Sequence, residues 1–214
     1  MKKNLMKKLY MLLVAMTILA VNTIAQNDPK AKKVLDDVSA KLKTFKGVTS
    51  NFTYVSKGRS GKTNSTVNGQ IFLKGDKYYI KQGAVEIFSN GVKTWNYNGI
   101  NEVTVTMVGE NDQALTPQKL LSNFYDKDFT YKLVSSVGAY HEIQMTPVDN
   151  RKNFQKVNVF VDKVKMQITK AKVLDKSSNT IEFTLKNIKT NVAIPDATFV
   201  FNKAKYKKDI EVIE

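Results

Sequence analysis

The stretch from Gly69 to Val108, GQIFLKGDKYYIKQGAVEIFSNGVKTWNYNGINEVTVTMV, constrains the fold more than any other part of the chain. It is a series of short segments alternating apolar and polar residues, separated by Gly75-Asp76, Gly83, Asn90-Gly91 and Asn98-Gly99. The two Asn-Gly pairs are strong hairpin signals, because a type I′ turn needs positive φ at both central residues and Asn and Gly tolerate it. The expected structure is an antiparallel meander. One-sided apolar alternation implies one wet face and one covered face, so another part of the chain must supply the cover.

The chain opens with Lys2, Lys3, Lys7 and Lys8, the apolar run Leu9 to Val21, and the small-residue site Thr23-Ile24-Ala25. This reads as a secretory signal peptide over residues 1–25, with a mature chain from Gln26 and a single domain over 26–214. The run is short of the roughly 20 residues a membrane span requires. With no cysteine, an exported chain has no disulfides to lean on and no thiol at the cleavage site to carry a lipid.

Thirty-four basic and 19 acidic residues give a formal charge of +15; without the four leader lysines it is +11. The excess is almost all lysine, Arg59 and Arg151 being the only arginines, and it is spread singly over strands and turns. Arginine is the residue preferred for bidentate phosphate and base recognition, so this pattern fits solvated sheet faces and protected edges rather than nucleic-acid binding.

Downstream of Asp28-Pro29, the residues Ala31, Val34, Leu35, Val38, Leu42 and Phe45 share one face at helical spacing, with Lys32, Lys33, Asp36, Asp37 and Lys41 opposite. The spacing predicts a helix ended by Gly47. The mixed signs on its polar face argue against a membrane-surface helix. Strands are expected over Val48–Lys57 and Ser65–Lys74, with Asn68-Gly69 inside the second as a bulge or close-approach site. After the meander and a polar loop from Gly109 to Leu115, Thr116-Pro117 should cap a second short helix with Leu120, Leu121 and Phe124 on its apolar face. Further strands are expected over Phe129–Ser135, Tyr140–Thr146, Lys156–Asp162, Met166–Leu174, Thr180–Ile188 and Thr198–Phe201. About a dozen strands and two helices predict a mainly β, α+β chain: one large curved antiparallel sheet with helices over one side.

The materials of most enzymes are missing. His141 is the sole histidine, there is no cysteine, no G-x-S-x-G turn and no phosphate-cradling glycine loop. Asp36-Asp37 and the Asp126/Asp128 pair fall on a polar helix face and in a loop. The expectation is no metal, no cofactor and no catalytic centre. What the chain has in excess is apolar sheet surface: Ile71, Leu73, Tyr78, Ile80, Ile87, Trp95, Tyr97, Val103, Val105 and Met107. Any one of them can be ordinary core. Together, on a broad sheet under a thin helical cover, they predict an internal hydrophobic cavity suited to an apolar ligand. The lid would be Val34, Leu35, Val38 and Leu42 of the first helix with Leu120, Leu121 and Phe124 of the second.

A resemblance runs through these residues. The Val34-Leu35-x-x-Val38-Ser39-x-x-Leu42 helix, Phe52, Gly69 to Lys74, Asn90-Gly91 with Trp95 and Tyr97, and Glu102 to Val105 follow the order of the periplasmic outer-membrane lipoprotein carrier family, LolA. So do Thr116-Pro117 with Leu120-Leu121, Thr146-Pro147, and Thr198-Phe199-x-Phe201. The resemblance implies an open half-barrel closed by helices around a cavity for lipoprotein acyl chains. It also implies a monomeric carrier that takes cargo from an inner-membrane ABC transporter and hands it to an outer-membrane acceptor. Two other readings fit the same cavity: a lipid-binding sensor module of the same fold, and a periplasmic lipid hydrolase depending on His141. One departure stands out. Members of the family commonly carry an Arg-Pro step, held to latch sheet to lid, where this chain has Gly75-Asp76.

Overall fold

The computed structural model describes residues 27–109, 125–206 and 209–214. The expected leader and the expected second helix, with Leu120, Leu121 and Phe124, lie outside these residues. Helix α1 spans Pro29–Thr44. Proline at its first position costs no hydrogen bond, and the Asp28 side chain caps it by accepting from the Lys30 N–H at 2.8 Å. Its buried face is Ala31, Leu35, Val38 and Ser39. Gly47 does not end it through a left-handed turn, since the helix stops at Phe45 in extended conformation (φ −82°, ψ 133°). Gly47 serves close packing instead: a Cβ there would lie 2.5 Å from the Val192 carbonyl oxygen.

Among the described residues twelve strands form one sheet: β1 (Val48–Lys57), β2 (Thr63–Lys74), β3 (Lys77–Gln82), β4 (Val85–Ser89), β5 (Lys93–Tyr97), β6 (Glu102–Met107), β7 (Phe129–Ser135), β8 (Tyr140–Pro147), β9 (Phe154–Asp162), β10 (Gln167–Asp175), β11 (Thr180–Thr190) and β12 (Glu211–Ile213). A four-residue helix, α2 (Tyr125–Asp128), leads into β7. The spatial order is β12-β6-β5-β4-β3-β2-β1-β11-β10-β9-β8-β7, so the sheet is open, with edges at β12 and β7. The large, open, mainly antiparallel sheet with a helix over one face is the architecture expected from the sequence. The β7 edge is blunted locally: Asn27 Oδ1 accepts from the Tyr131 N–H and Asp28 Oδ2 from the Leu133 N–H, standing in for a neighbouring strand.

Residues directly opposite one another share a face. The row Leu133, Ile143, Val159, Ala171, Phe183, Tyr54 and the row Ser50, Ile71, Ile80, Ile87 lie on the inner face beneath α1. Their apolar members belong to one core that α1 joins through Ala31 and Leu35. On the outer face the row Phe72, Tyr79, Phe88, Trp95, Val105 forms an apolar and aromatic ladder. The C-terminal segment covers part of it, with Phe201, Tyr206 and Ile210 packing on Trp95, Tyr97, Val103 and Val105. Lys74 and Lys77 hold that segment through Asp196 (2.8 and 3.2 Å).

Several local expectations are corrected. Neither Asn90 nor Asn98 has positive φ, so these are not type I′ turns; only Gly91 (+90°) and Gly99 (+83°) do. The asparagine side chains organise the loops instead. Asn90 Oδ1 accepts from the Val92 and Lys93 N–H groups, and Asn98 Oδ1 from Ile100, Asn101 and Glu102. Thr198–Phe201 is not a strand: Asp196–Phe199 is a 3-10 turn started by Pro195, with Phe199 fully buried. The short β12 was not expected, and it pairs parallel to β6. Gly69 is a close-approach site and not a bulge, since pairing with β1 runs unbroken through Asn68 and Gly69. Phe52 lies over it, and a Cβ would come within 2.4 Å of both the Phe52 ring and the Lys81 carbonyl oxygen.

Candidate functional site

The inner face and α1 enclose a small apolar cavity beneath the C-terminal half of the helix. Val38, Leu42 and Phe45 form its roof, while Val48, Ile71, Leu73, Leu185 and Ile188 are among the sheet residues of its floor, and Met166 and Ile168 line one side. Ser50 is buried in this wall, but its hydroxyl donates to the Lys186 carbonyl at 2.8 Å, so its polarity is spent on the backbone. The cavity measures about 40 Å³, room for a few water-sized groups. Anything as long as an acyl chain requires the roof to move.

The two ends of that roof are held differently. At its start, Asp28 and Asn27 bind the β7 backbone, and Asp36 Oδ1 accepts from the Tyr125 hydroxyl at 2.8 Å. Burial alone would raise the Asp36 pKa, but the hydrogen bonds from Lys32 and Tyr125 outweigh it and hold the group below the ordinary aspartate value. At the far end Lys41 reaches the Lys165 carbonyl at 2.5 Å, and the Lys46 N–H reaches Asn191 Oδ1 at 3.3 Å. Ala31 and Leu35 are fully buried near the start, whereas Leu42 and Phe45 over the cavity are only half-buried. Beyond the buried Val38 and Ser39, the end of the lid above the cavity is therefore the part with less to lose on lifting.

Of the expected lining, Ile71 and Leu73 lie in the cavity wall, opposite Val38 and Leu42 of the expected lid. Tyr78, Ile80 and Ile87 continue the same face, and Val34 and Leu35 pack in the adjoining core. Trp95, Tyr97, Val103 and Val105 are on the other face, against the C-terminal segment, and Met107 is 43% exposed at a strand end. The ten residues thus do not share one face. Between the paired Ser89 and Thr94 lie four residues, an even number, so odd-numbered Ile87 pairs with even-numbered Asn96 and odd-numbered Trp95 must point the other way. Val48, Leu185, Ile188, Met166 and Ile168 were not anticipated as lining. Leu185 and Ile188 reach one space although their numbers differ in parity, because a bulge in β11 shifts the alternation between them.

On β8, outside the cavity lining, His141 Nδ1 is hydrogen-bonded with the Ser136 hydroxyl. Desolvation, and then the Lys163 charge, lower the histidine pKa. Its neighbour Glu142 is engaged elsewhere, accepting from Asn158 Nδ2 at 2.7 Å. Among the described residues, no group of three potential metal ligands occurs.

An open single-sheet half-barrel with a helix-roofed apolar interior is the class that this geometry defines. The family described as outer membrane lipoprotein carrier protein LolA matches residues 43–202. That match runs from the end of α1 through β11 to the Asp196–Phe199 turn, and the chain belongs to this family. A protein of Francisella tularensis subsp. novicida (strain U112) named outer-membrane lipoprotein carrier protein is 27% identical over 196 residues, covering 83% of this chain and 86% of its own. Its counterpart in F. tularensis subsp. tularensis (strain WY96-3418) is 29% identical over 188 residues, 79% and 83% of the two chains. Among solved structures, an uncharacterized conserved protein from Thermus thermophilus shares the fold, with a TM-score of 0.59 at 12% identity over 86% of this chain and 98% of that one.

Proposed function

We propose that the chain is a non-enzymatic periplasmic chaperone that shelters the acyl chains of lipoproteins while they cross from the inner to the outer membrane. The observation carrying this reading is the apolar cavity under the loosely held end of α1, continuous with an inner face that is apolar from β7 to β4. Burying a CH₂ group is worth about 0.8 kcal/mol, so a 16-carbon chain leaving a membrane for water loses on the order of 12 kcal/mol. A carrier must offer comparable apolar contact and still release its cargo. A lid held at one end and lightly fastened at the other has that character: α1 swings about its Asp28/Asn27 anchor, and the acyl chain replaces Leu42 and Phe45 against Leu73, Leu185 and Ile188.

The family's usual arginine latch has no counterpart at Gly75-Asp76, which form the β2–β3 turn. In this chain the fastening is instead the Lys41 ammonium on the Lys165 carbonyl. The leader over residues 1–25 delivers the chain to the periplasm, where an inner-membrane ABC transporter loads it and an outer-membrane acceptor unloads it. The test is to purify the protein from the periplasm of cells fed labelled palmitate. Label in co-purifying polypeptides is expected, and label only in free lipid, or none, contradicts the carrier reading.

A further inference from the structure

The sheet is split beside the cavity. Strands β10 and β11 pair only from Lys170↔Thr184 to Leu174↔Thr180. Beyond that, Gln167 and Ile168 pair only with β9, and the end of β11 pairs only with β1. Both strands carry an irregularity at the split. Thr169 is the extra residue of β10 against β9, between Ile168↔Val161 and Lys170↔Phe160. Opposite Ser50, β11 carries the extra residue at Asn187–Ile188, with Asn187 in the left-handed region at φ +55°. Bulges bend a strand and increase its twist, and two facing each other turn the strands apart.

A groove of about 610 Å³ lies in this split, and Thr169, Asn187 and Ile188 are among its walls. It shares Phe45, Gln167, Leu185 and Ile188 with the apolar cavity, so the two spaces adjoin across these side chains. Their chemistry differs. The charged residues among the described walls of the groove are Lys41 and Lys165, and no carboxylate joins them.

We propose that the groove is a second subsite, which takes the polypeptide next to an acylated residue and favours acidic side chains there. This deepens the carrier reading and rests on it, since the acyl chain is taken to occupy the adjoining cavity. A peptide fits the split better than a lipid headgroup, because stretches of β10 and β11 edge unpaired with one another can hydrogen-bond an extended backbone. The two lysines then select the charge of its side chains.

The experiment uses the mature protein loaded with the fluorescent fatty acid cis-parinarate. It is displaced by three palmitoylated hexapeptide amides carrying Asp, Asn or Lys at the second and third positions. The Asp peptide is expected to displace at a concentration roughly twofold to tenfold lower than its Asn isostere, the range for two partly exposed charge pairs, with the Lys peptide weakest. The Asp-to-Asn ratio shrinks in high salt and falls to about its square root in Lys165→Gln, which removes one of the two charges and leaves the backbone carbonyl that receives Lys41. Asn187→Gly, which tolerates the left-handed backbone, keeps the ratio, and Asn187→Val loses it. If all three peptides displace parinarate equally, the subsite is overturned and the cavity reading stands. If neither parinarate nor any acylated peptide binds the folded protein, the cavity reading fails and the subsite falls with it.

Discussion

Replacing Glu86 should loosen the C-terminal segment from the outer face and measure how firmly that face is sealed. Glu86 is 12% exposed in its side chain and accepts from the Tyr79 hydroxyl at 2.6 Å, from the Tyr206 hydroxyl, and from Lys81 Nζ at 3.2 Å. Burial alone would raise its pKa, but hydrogen bonds from Tyr206, Tyr79 and Lys81 outweigh it and hold the carboxyl below the ordinary glutamate value. Burial first, and then the hydrogen bond to Glu86, push both tyrosine hydroxyls upward. A hydrogen bond to a charged group contributes about 1.5–3 kcal/mol. Tyr206→Phe removes one such bond, and Glu86→Ala removes the acceptor of both tyrosine hydroxyls and of the exposed Lys81, at about 3–5 kcal/mol. For a chain of this size each kcal/mol moves Tm by about 2–4 °C, so Glu86→Ala should lower Tm by roughly 6–20 °C.

The assay is thermal unfolding of wild type, Glu86→Ala, Tyr206→Phe and the double variant. Because Tyr206→Phe also removes a hydroxyl that Glu86→Ala leaves unpartnered, the double should cost less than the sum by about 1.5–3 kcal/mol. The sign of the pH effect follows from the lowered pKa. The contribution is present above the ordinary glutamate value and is lost as pH falls through the folded one, so the gap between wild type and Glu86→Gln narrows on acidification below about pH 4. Costs that add within about 0.5 kcal/mol, or a gap that widens in acid, would refute the network.

Gly69→Ala should destabilise by about 1–3 kcal/mol in denaturant titration, since its Cβ meets backbone and the Phe52 ring, and little change would mean β1 to β3 yield more than their packing implies. Leu42→Glu and Ile188→Glu, at half-buried positions of the cavity, should keep the fold by circular dichroism yet weaken fatty-acid binding at least tenfold. Asp28→Ala should lower Tm and expose the Leu133 amide to faster hydrogen exchange, because one side chain serves both the α1 cap and the β7 edge. Mass spectrometry of exported protein should find Gln26 at its start, and an intact Met1 in a membrane fraction would contradict the leader assignment.

Much of this fold is legible because its signals are local. Alternation bounded by Gly58–Lys62 and by Ser136–Ala139 places β1 and β7 at the same residues in sequence and structure. The face of α1 follows from helical spacing. What escaped depends on counting across loops. Five residues, Asn98 to Glu102, separate the paired Tyr97 and Val103, so these share a face, whereas a two-residue Asn-Gly turn would have set them apart. The even loop between Ser89 and Thr94 had already sent Trp95 away from Ile87, and that arithmetic was available in the sequence. The β11 bulge was not, since it is fixed by the buried Ser50 hydroxyl on the Lys186 carbonyl, a contact between residues far apart in the chain. Strand β12 has too few residues to show alternation and exists by pairing alone.

Adding purified mature protein to spheroplasts making new lipoproteins tests the carrier claim most directly. The account predicts that outer-membrane lipoproteins appear in the soluble fraction bound one-to-one to the protein, and that Leu42→Glu releases few of them. Lipoproteins that stay in the membrane while the added protein remains folded and monomeric would contradict it.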